Sequence, residues 1–295
     1  MTTKYTEIPA IEYEIISQAE LAKKKIVKSP LRHPGGKSKA LKEITSLIPK
    51  DYKEFREPFV GGGSVFLNSK QVINPDAKYV INDLNEDLVC FWKTARDRNE
   101  ELVNRIQDIR SKAIDGRKLH EYFVDNHENL TAFERAVRFF VLNRITFSGT
   151  VDSGGYSEQA FEKRFTDSSI HRVSLLEGSL KNVEVLNGDY KELLSNEGED
   201  VFIFLDPPYS NAVESELYGK NGDLHTGFDF EKFAEDMEEC THKWLITLNN
   251  SPDIVELFSF ANIYEWELQY GMNNYKQKRA LKGKELFISN YPIEM

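Results

Sequence analysis

The clearest pattern along the chain is a series of short apolar runs, each ending in a polar or glycine-rich turn. Val201-Phe-Ile-Phe-Leu205 has no polar interruption, which predicts a strand buried on both faces. Val183-Glu-Val-Leu186, Lys78-Tyr-Val-Ile-Asn82 and Trp244-Leu-Ile-Thr-Leu248 predict further strands. Ile263 to Leu268 and Glu285 to Ser289 predict the strands that close the sheet. Between these runs the apolar spacing changes to three and four residues. Leu84, Leu88, Phe91, Trp92 and Ala95 share one helical face, as do Phe230, Phe233 and Met237. Ser251 and Pro252 cap and start another helix. Strands alternating with helices predict an α/β fold with a largely parallel sheet.

From about Glu100 to Lys181 the strand signal disappears. Leu102, Ile106 and Ile109 have helical spacing. Thr131-Ala-Phe-Glu134 is a capping box opening a helix with Phe133, Val137, Phe140 and Val141 inward. Ser148 to Tyr156 is a Gly/Ser-rich tip with hairpin chemistry. The expected organisation is a peripheral arm over 1–28, a sheet domain from 29–99 and 182–295, and a mostly helical insertion over 100–181, separate from the sheet.

Composition narrows the class. The chain has 295 residues, is 40% hydrophobic and 29% charged, and carries a net charge of −10, as expected of a soluble globular protein. It has no apolar run of membrane-spanning length and no signal-peptide core, so a cytoplasmic location is expected. Cys90 and Cys240 fall at apolar helical positions and read as reduced thiols. The six histidines lack metal-ligand spacing, so no metal is expected. The acidic total hides two acid-free basic segments. One holds Lys23, Lys24, Lys25, Lys28, Arg32, Lys37, Lys39 and Lys42; the other holds Lys276, Lys278, Arg279, Lys282 and Lys284. Charge runs are usually solvated faces. These two adjoin the chemistry below, which favours one phosphate-facing stripe.

Asp206-Pro-Pro-Tyr209 follows the most buried predicted strand. Its prolines lack the N–H that would continue a ladder or helix, so an acid and an aromatic stand on a stiff turn where open α/β sheets bind ligands. A carboxylate and a proline carbonyl can accept the two hydrogens of a planar amino group, and a tyrosine ring can stack on its base. Glu57-Pro-Phe-Val-Gly-Gly-Gly-Ser-Val-Phe-Leu67 reads as a strand end, a glycine turn and a helix start that bring the backbone close to a ligand. Asp83 lies twenty residues after Gly63, the spacing at which a carboxylate reaches a ribose; capping the next helix is its alternative role. Asp189, after Gly188, ends another strand. Two look-alikes fail. Gly35-Gly36-Lys37-Ser38 lacks the earlier glycine of a P-loop, and the 61–63 turn lacks the last glycine of a dinucleotide fingerprint.

Six segments in order resemble the adenine-specific DNA methyltransferases of the DNA adenine methylase (Dam-like) class. They are Ser29 to Lys39, Glu57 to Leu67, Ile81-Asn-Asp-Leu-Asn85, Val141-Leu-Asn-Arg144 with Gly149, Asp206 to Tyr209, and Glu285 to Tyr291. The resemblance implies a Rossmann-like doubly wound methyltransferase sheet with an antiparallel C-terminal strand, the insertion reading the DNA target. It implies S-adenosylmethionine as cofactor. His33 would pack on it, Lys37 would pair with its carboxylate, and Phe59, Gly61 and Gly63 would border its amino-acid end. Asp83 would take the ribose and Asp189 the adenine amino group. Asp206, which also adjoins the cofactor, Pro207 and Tyr209 would act on a flipped-out adenine in duplex DNA. Arg32, Arg144, Ser148, Lys276, Lys278 and Arg279 would contact DNA, and a cognate restriction endonuclease is a further partner. The tip departs from the pattern of enzymes that read GATC, so that sequence is not implied. Transfer to RNA, to cytosine N4 or to protein glutamine, or a non-catalytic DNA-binding role, are the alternatives.

Overall fold

The computed structural model describes residues 26–33, 35–151, 153–209, 228–269 and 282–293. Seven strands form one sheet: β1 (Glu54–Glu57), β2 (Lys78–Asp83), β3 (Val183–Asn187), β4 (Val201–Leu205), β5 (Lys243–Asn249), β6 (Asn262–Gln269) and β7 (Lys282–Ser289). Their order is β3-β2-β1-β4-β5-β7-β6. The first five are parallel, and β7 runs antiparallel between β5 and β6. The order reverses between β1 and β4, which opens a crevice at their carboxyl ends, the usual ligand site of such sheets.

The apolar run of β4 is explained by two cores. Phe202 and Phe204 face one cluster, while Val201, Ile203 and Leu205 face the other. Both faces of the strand are therefore dry, and period-two alternation is absent. Helices α1 (Leu41–Leu47), α2 (Ser64–Asn68) and α3 (Glu86–Asp97) accompany the first strands. Leu84 does not join the predicted helical face. It is 59% exposed and precedes the cap, because Asn85 accepts the Leu88 N–H and starts α3. Asp83 is thus not the helix cap.

The insertion holds α4 (Asn99–Lys112), α5 (Gly116–Asp125), α6 (Ala132–Ile145), α7 (Glu158–Arg164), α8 (Asp167–Ser174) and α9 (Leu176–Leu180). The expected Thr131–Glu134 capping box opens α6. Every residue of α6 from Ala136 to Ile145 is buried. Its Phe140 stacks on Phe91 of α3 with ring centroids 5.8 Å apart. Residues 100–181 contribute no strand to the sheet among the described residues and share one hydrophobic core with it. The tip also differs from a regular hairpin. Among the described residues its pairing is the single bridge Thr146–Tyr156, supported by the Phe147 N–H to the Gly155 carbonyl. A 3-10 turn at Phe147–Gly149, with Ser148 at φ 54°, bends the chain before a ladder can form. The remaining helices are α10 (Lys191–Ser195), α11 (Phe230–Glu239) and α12 (Pro252–Leu257), the last capped by Ser251 as predicted. Among the described residues no helix is long and apolar enough to cross a membrane, and no cluster of metal-ligating side chains occurs.

Candidate active site

Parallel register places the chemistry. β1, β2, β3 and β4 end side by side, carrying Glu57, Asp83, Asn187 and then Asp206 to one edge of the sheet. Asn82 ties the neighbouring turns together, donating to the Pro58 and Gly188 carbonyls at 3.0 and 2.9 Å.

The glycine turn lies between two side chains. Gly61 has φ 44° and Gly63 φ 67°, a backbone that L side chains rarely adopt. A Cβ on Gly61 would stand 2.8 Å from the His33 imidazole, and one on Gly63 2.7 Å from Trp92. Trp92 donates its indole N–H to the Gly61 carbonyl. Asp83 accepts from Gly61 N and Asn85 N. Burial raises its pKa, against the lowering effect of those N–H groups. Glu57 is buried and accepts from Phe66 N at 2.8 Å. Burial, and next the charge of Asp206, push its pKa well above the ordinary carboxylate value.

The Asp206 turn is gripped from three directions. Lys37, only 3% exposed, donates to Asp206 Oδ1 at 2.6 Å. Thr247 on β5 donates to the same oxygen at 2.9 Å. Tyr209 donates its hydroxyl to Glu285 on β7 at 2.8 Å, and Lys37 Nζ stands 4.8 Å from the ring centroid. Asp206 Oδ1 is thereby occupied, and among the described residues no hydrogen bond reaches Oδ2. Pro207 is buried.

His33, Lys37, Gly61, Gly63, Asp83, Asp206, Pro207 and Tyr209 therefore converge. Lys37 holds Asp206, since burial leaves its charge needing a fixed anion. His33 packs against the glycine turn. Phe59 joins a ring cluster with Tyr190 and Phe233, at 5.4 and 6.2 Å from each centroid. Asp189 is exposed at the end of β3, and its Oδ1 accepts the Lys191 N–H of α10.

The expected DNA contacts divide. Arg144 is 4% exposed and donates to the Pro30 and Arg164 carbonyls. Burial, with repulsion from Arg172, Arg32 and Arg164, lowers its pKa to about 9. It is an internal strut rather than a surface contact. Arg32 is half-buried and donates to the Thr146 carbonyl. Ser148 sits on the tip beside Phe147, which is 68% exposed. Lys28, Lys39 and Lys42 are exposed. Lys276, Lys278 and Arg279 lie outside the described residues, as do Lys23, Lys24 and Lys25.

Four contributors do not stand out in the sequence. Glu57 merely precedes the glycine turn. Glu285 is an acid in an apolar strand, which is a usable signal. Thr247 reaches Asp206 through the β4–β5 register. Asn143 accepts from Arg32 N and donates to the Arg32 and Gly149 carbonyls, pinning the 29–39 segment to the tip.

Residues 33–272 match the family described as D12 class N6 adenine-specific DNA methyltransferase. The chain is 27% identical to the Type II methyltransferase M.MjaIII of Methanocaldococcus jannaschii, over 90% of this chain and 99% of that protein. It is 26% identical to the Type II methyltransferase M1.LlaDCHI of Lactococcus lactis subsp. cremoris, over 92% and 98%. It is 23% identical to the DNA adenine methylase of Haemophilus influenzae, over 90% and 96%.

Proposed function

Since the chain belongs to the D12 class N6 adenine-specific DNA methyltransferases, we propose that its adenine methylation is carried out at the Asp206–Tyr209 turn with S-adenosylmethionine bound across the ends of β1, β2 and β3. The observation that carries this reading is the threefold grip on the turn by Lys37, Thr247 and Glu285.

The donor set fits that cofactor. Asp83 and Asp189 stand on adjacent strand ends, suited to a ribose and an adenine amino group. The crevice sets Asp83, Asp189 and Asp206 against Lys37, a balance that suits a sulfonium cation and opposes a pyrophosphate. Gly61, Gly63 and Phe59 would border the amino-acid end, with His33 fixing the glycine turn. S-adenosylmethionine supplies a methyl group made electrophilic by the sulfonium.

The chain's own groups act on the adenine. Paired and stacked in a duplex, the amino nitrogen is out of reach, so the base must be flipped out. Tyr209 then offers its ring face, at an angle fixed by Glu285. Asp206 Oδ2 and the Pro207 carbonyl accept the amino hydrogens and direct the nitrogen lone pair away from the turn. This is catalysis by positioning and electrostatics. The tip over residues 146–156 meets base edges and sets the sequence read, while basic groups meet phosphates. The names of two relatives support modification beside a cognate endonuclease as the wider role.

Nucleoside mass spectrometry of duplex DNA treated with the protein and isotope-labelled S-adenosylmethionine should show labelled N6-methyladenine. Label in N4-methylcytosine, or in RNA alone, would overturn the reading.

A further inference from the structure

Two side-chain amides cross the strand ends that form the crevice. Asn82, next to last in β2, is 1% exposed. Its Nδ2 donates to the Pro58 carbonyl, where the chain leaves β1, and to the Gly188 carbonyl, where it leaves β3. β2 lies between those strands, so one amide spans both neighbours. Its partners set its direction, because a flipped amide would turn its oxygen toward two carbonyls. Oδ1 is left buried and without a hydrogen-bond partner among the described residues, a cost that an apolar side chain of similar size would avoid.

Asn187, the last residue of β3, reaches the other way. It is exposed, lies opposite Asp83 in the register, and donates its Nδ2 to the Asp83 and Leu84 carbonyls at 2.9 and 3.2 Å. The end of β2 is also held from the β1 side. There the Asn82 carbonyl accepts the Val60 N–H, and the Asp83 carboxylate accepts the Gly61 N–H. Asp189 directly follows Gly188, and its Oδ1 accepts the Lys191 N–H. Asp83 and Asp189 are thus joined by two short paths, one through the Asn82 amide and one through the Asn187 amide. Neither path includes a long, flexible side chain.

We propose that Asn82 and Asn187 are positioning residues that fix the spacing of Asp83 and Asp189, and through that spacing the selectivity for an adenine nucleoside. A ligand held by both carboxylates must present ribose hydroxyls and an exocyclic amino group at a set separation. S-adenosylmethionine does so. A nucleoside with an oxo group in that place offers Asp189 an acceptor where a donor is needed. The inference rests on the cofactor reading above and adds which groups of the chain make the discrimination. A side-chain amide suits the task, because its planar end gives direction and its neutrality leaves the two carboxylate charges undisturbed.

The test is isothermal titration of the wild type, Asn82→Leu and Asn187→Ala with S-adenosylhomocysteine and with S-inosylhomocysteine, which has an oxo group in place of the amino group. The wild type should prefer the amino compound about tenfold or more, as one hydrogen bond to a charged group gives. Both variants should lose most of that preference, chiefly through weaker binding of S-adenosylhomocysteine. Asn187 is exposed, so its variant reports even if Asn82→Leu fails to fold. If both ligands weaken alike and the ratio survives, the amides only support the fold and the proposal fails. Unchanged affinities in the variants overturn it as well. A wild type that binds both compounds equally would show that Asp189 does not meet the base, which leaves the amides nothing to position. A wild type that binds neither would instead overturn the S-adenosylmethionine reading, and the proposal with it.

Discussion

At the scale of single residues, the active turn depends on one buried charge pair. Asp206→Ala removes both the proposed amino-group acceptor and the anion that holds Lys37. Methylation should fall to background, and the unfolding free energy should drop by about 3 kcal/mol, as when a buried pair loses one partner. Denaturant unfolding beside the methylation assay checks both, and a variant of wild-type stability would show that Lys37 finds another anion. Glu57 makes a different prediction. Its folded pKa lies above the ordinary 4.5, so the folded state holds that proton more tightly than the unfolded chain. The stability it contributes is complete below about pH 4.5 and is lost as pH rises through the folded value. Glu57→Gln keeps an acceptor for Phe66 N–H and should flatten that loss, measured as melting temperature against pH. Asp206 and Tyr209 are legible in the sequence because they share one tetrapeptide. Thr247 and Glu285 are not, because strand register carries them in from distant segments. Arg144 misleads because helical spacing cannot tell a solvent face from one covered by Pro30.

Elements set the next constraint, and the glycine turn between β1 and α2 is a tight one. Gly63 has a left-handed backbone, and a Cβ there would meet Phe66 at 2.5 Å as well as Trp92. Gly63→Ala should cost about 1–3 kcal/mol in backbone strain, with a further cost from the clash. A lowered urea midpoint at unchanged m-value would show this, and an unshifted midpoint would mean that the turn relaxes freely. The strands are readable from the sequence because each is an apolar run stopped by a polar turn. The shared core of the insertion is less so. The run from Ala136 to Ile145 is apolar around most of its circumference, a sign of a helix covered on all sides, yet its arginines suggest a wet face. Arg138 is in fact buried and paired with Asp87 of α3.

Across the whole molecule, charge is unevenly spread. With a net charge of −10, most of the chain repels DNA, and we propose that docking is confined to the basic segments over 21–42 and 273–284. Neutralising Lys276, Lys278 and Arg279 together should flatten the salt slope by up to about 0.9 for each phosphate no longer neutralised and weaken binding to all sequences alike. Filter binding on two unrelated duplexes checks this, and a weakening confined to one of them would reassign these residues to base reading. The sheet order has a temporal consequence. β7 lies between β5 and β6, although it is the last of the seven strands in the chain. During synthesis the parallel strands are complete while β5 still has a bare edge, and that edge closes only when β7 leaves the ribosome. Such long-range pairing forms late and slowly. β7 also brings Glu285, so Tyr209 acquires its anchor only once this late pairing has formed. The proposed cofactor crevice, at the ends of the parallel strands, does not wait on that step.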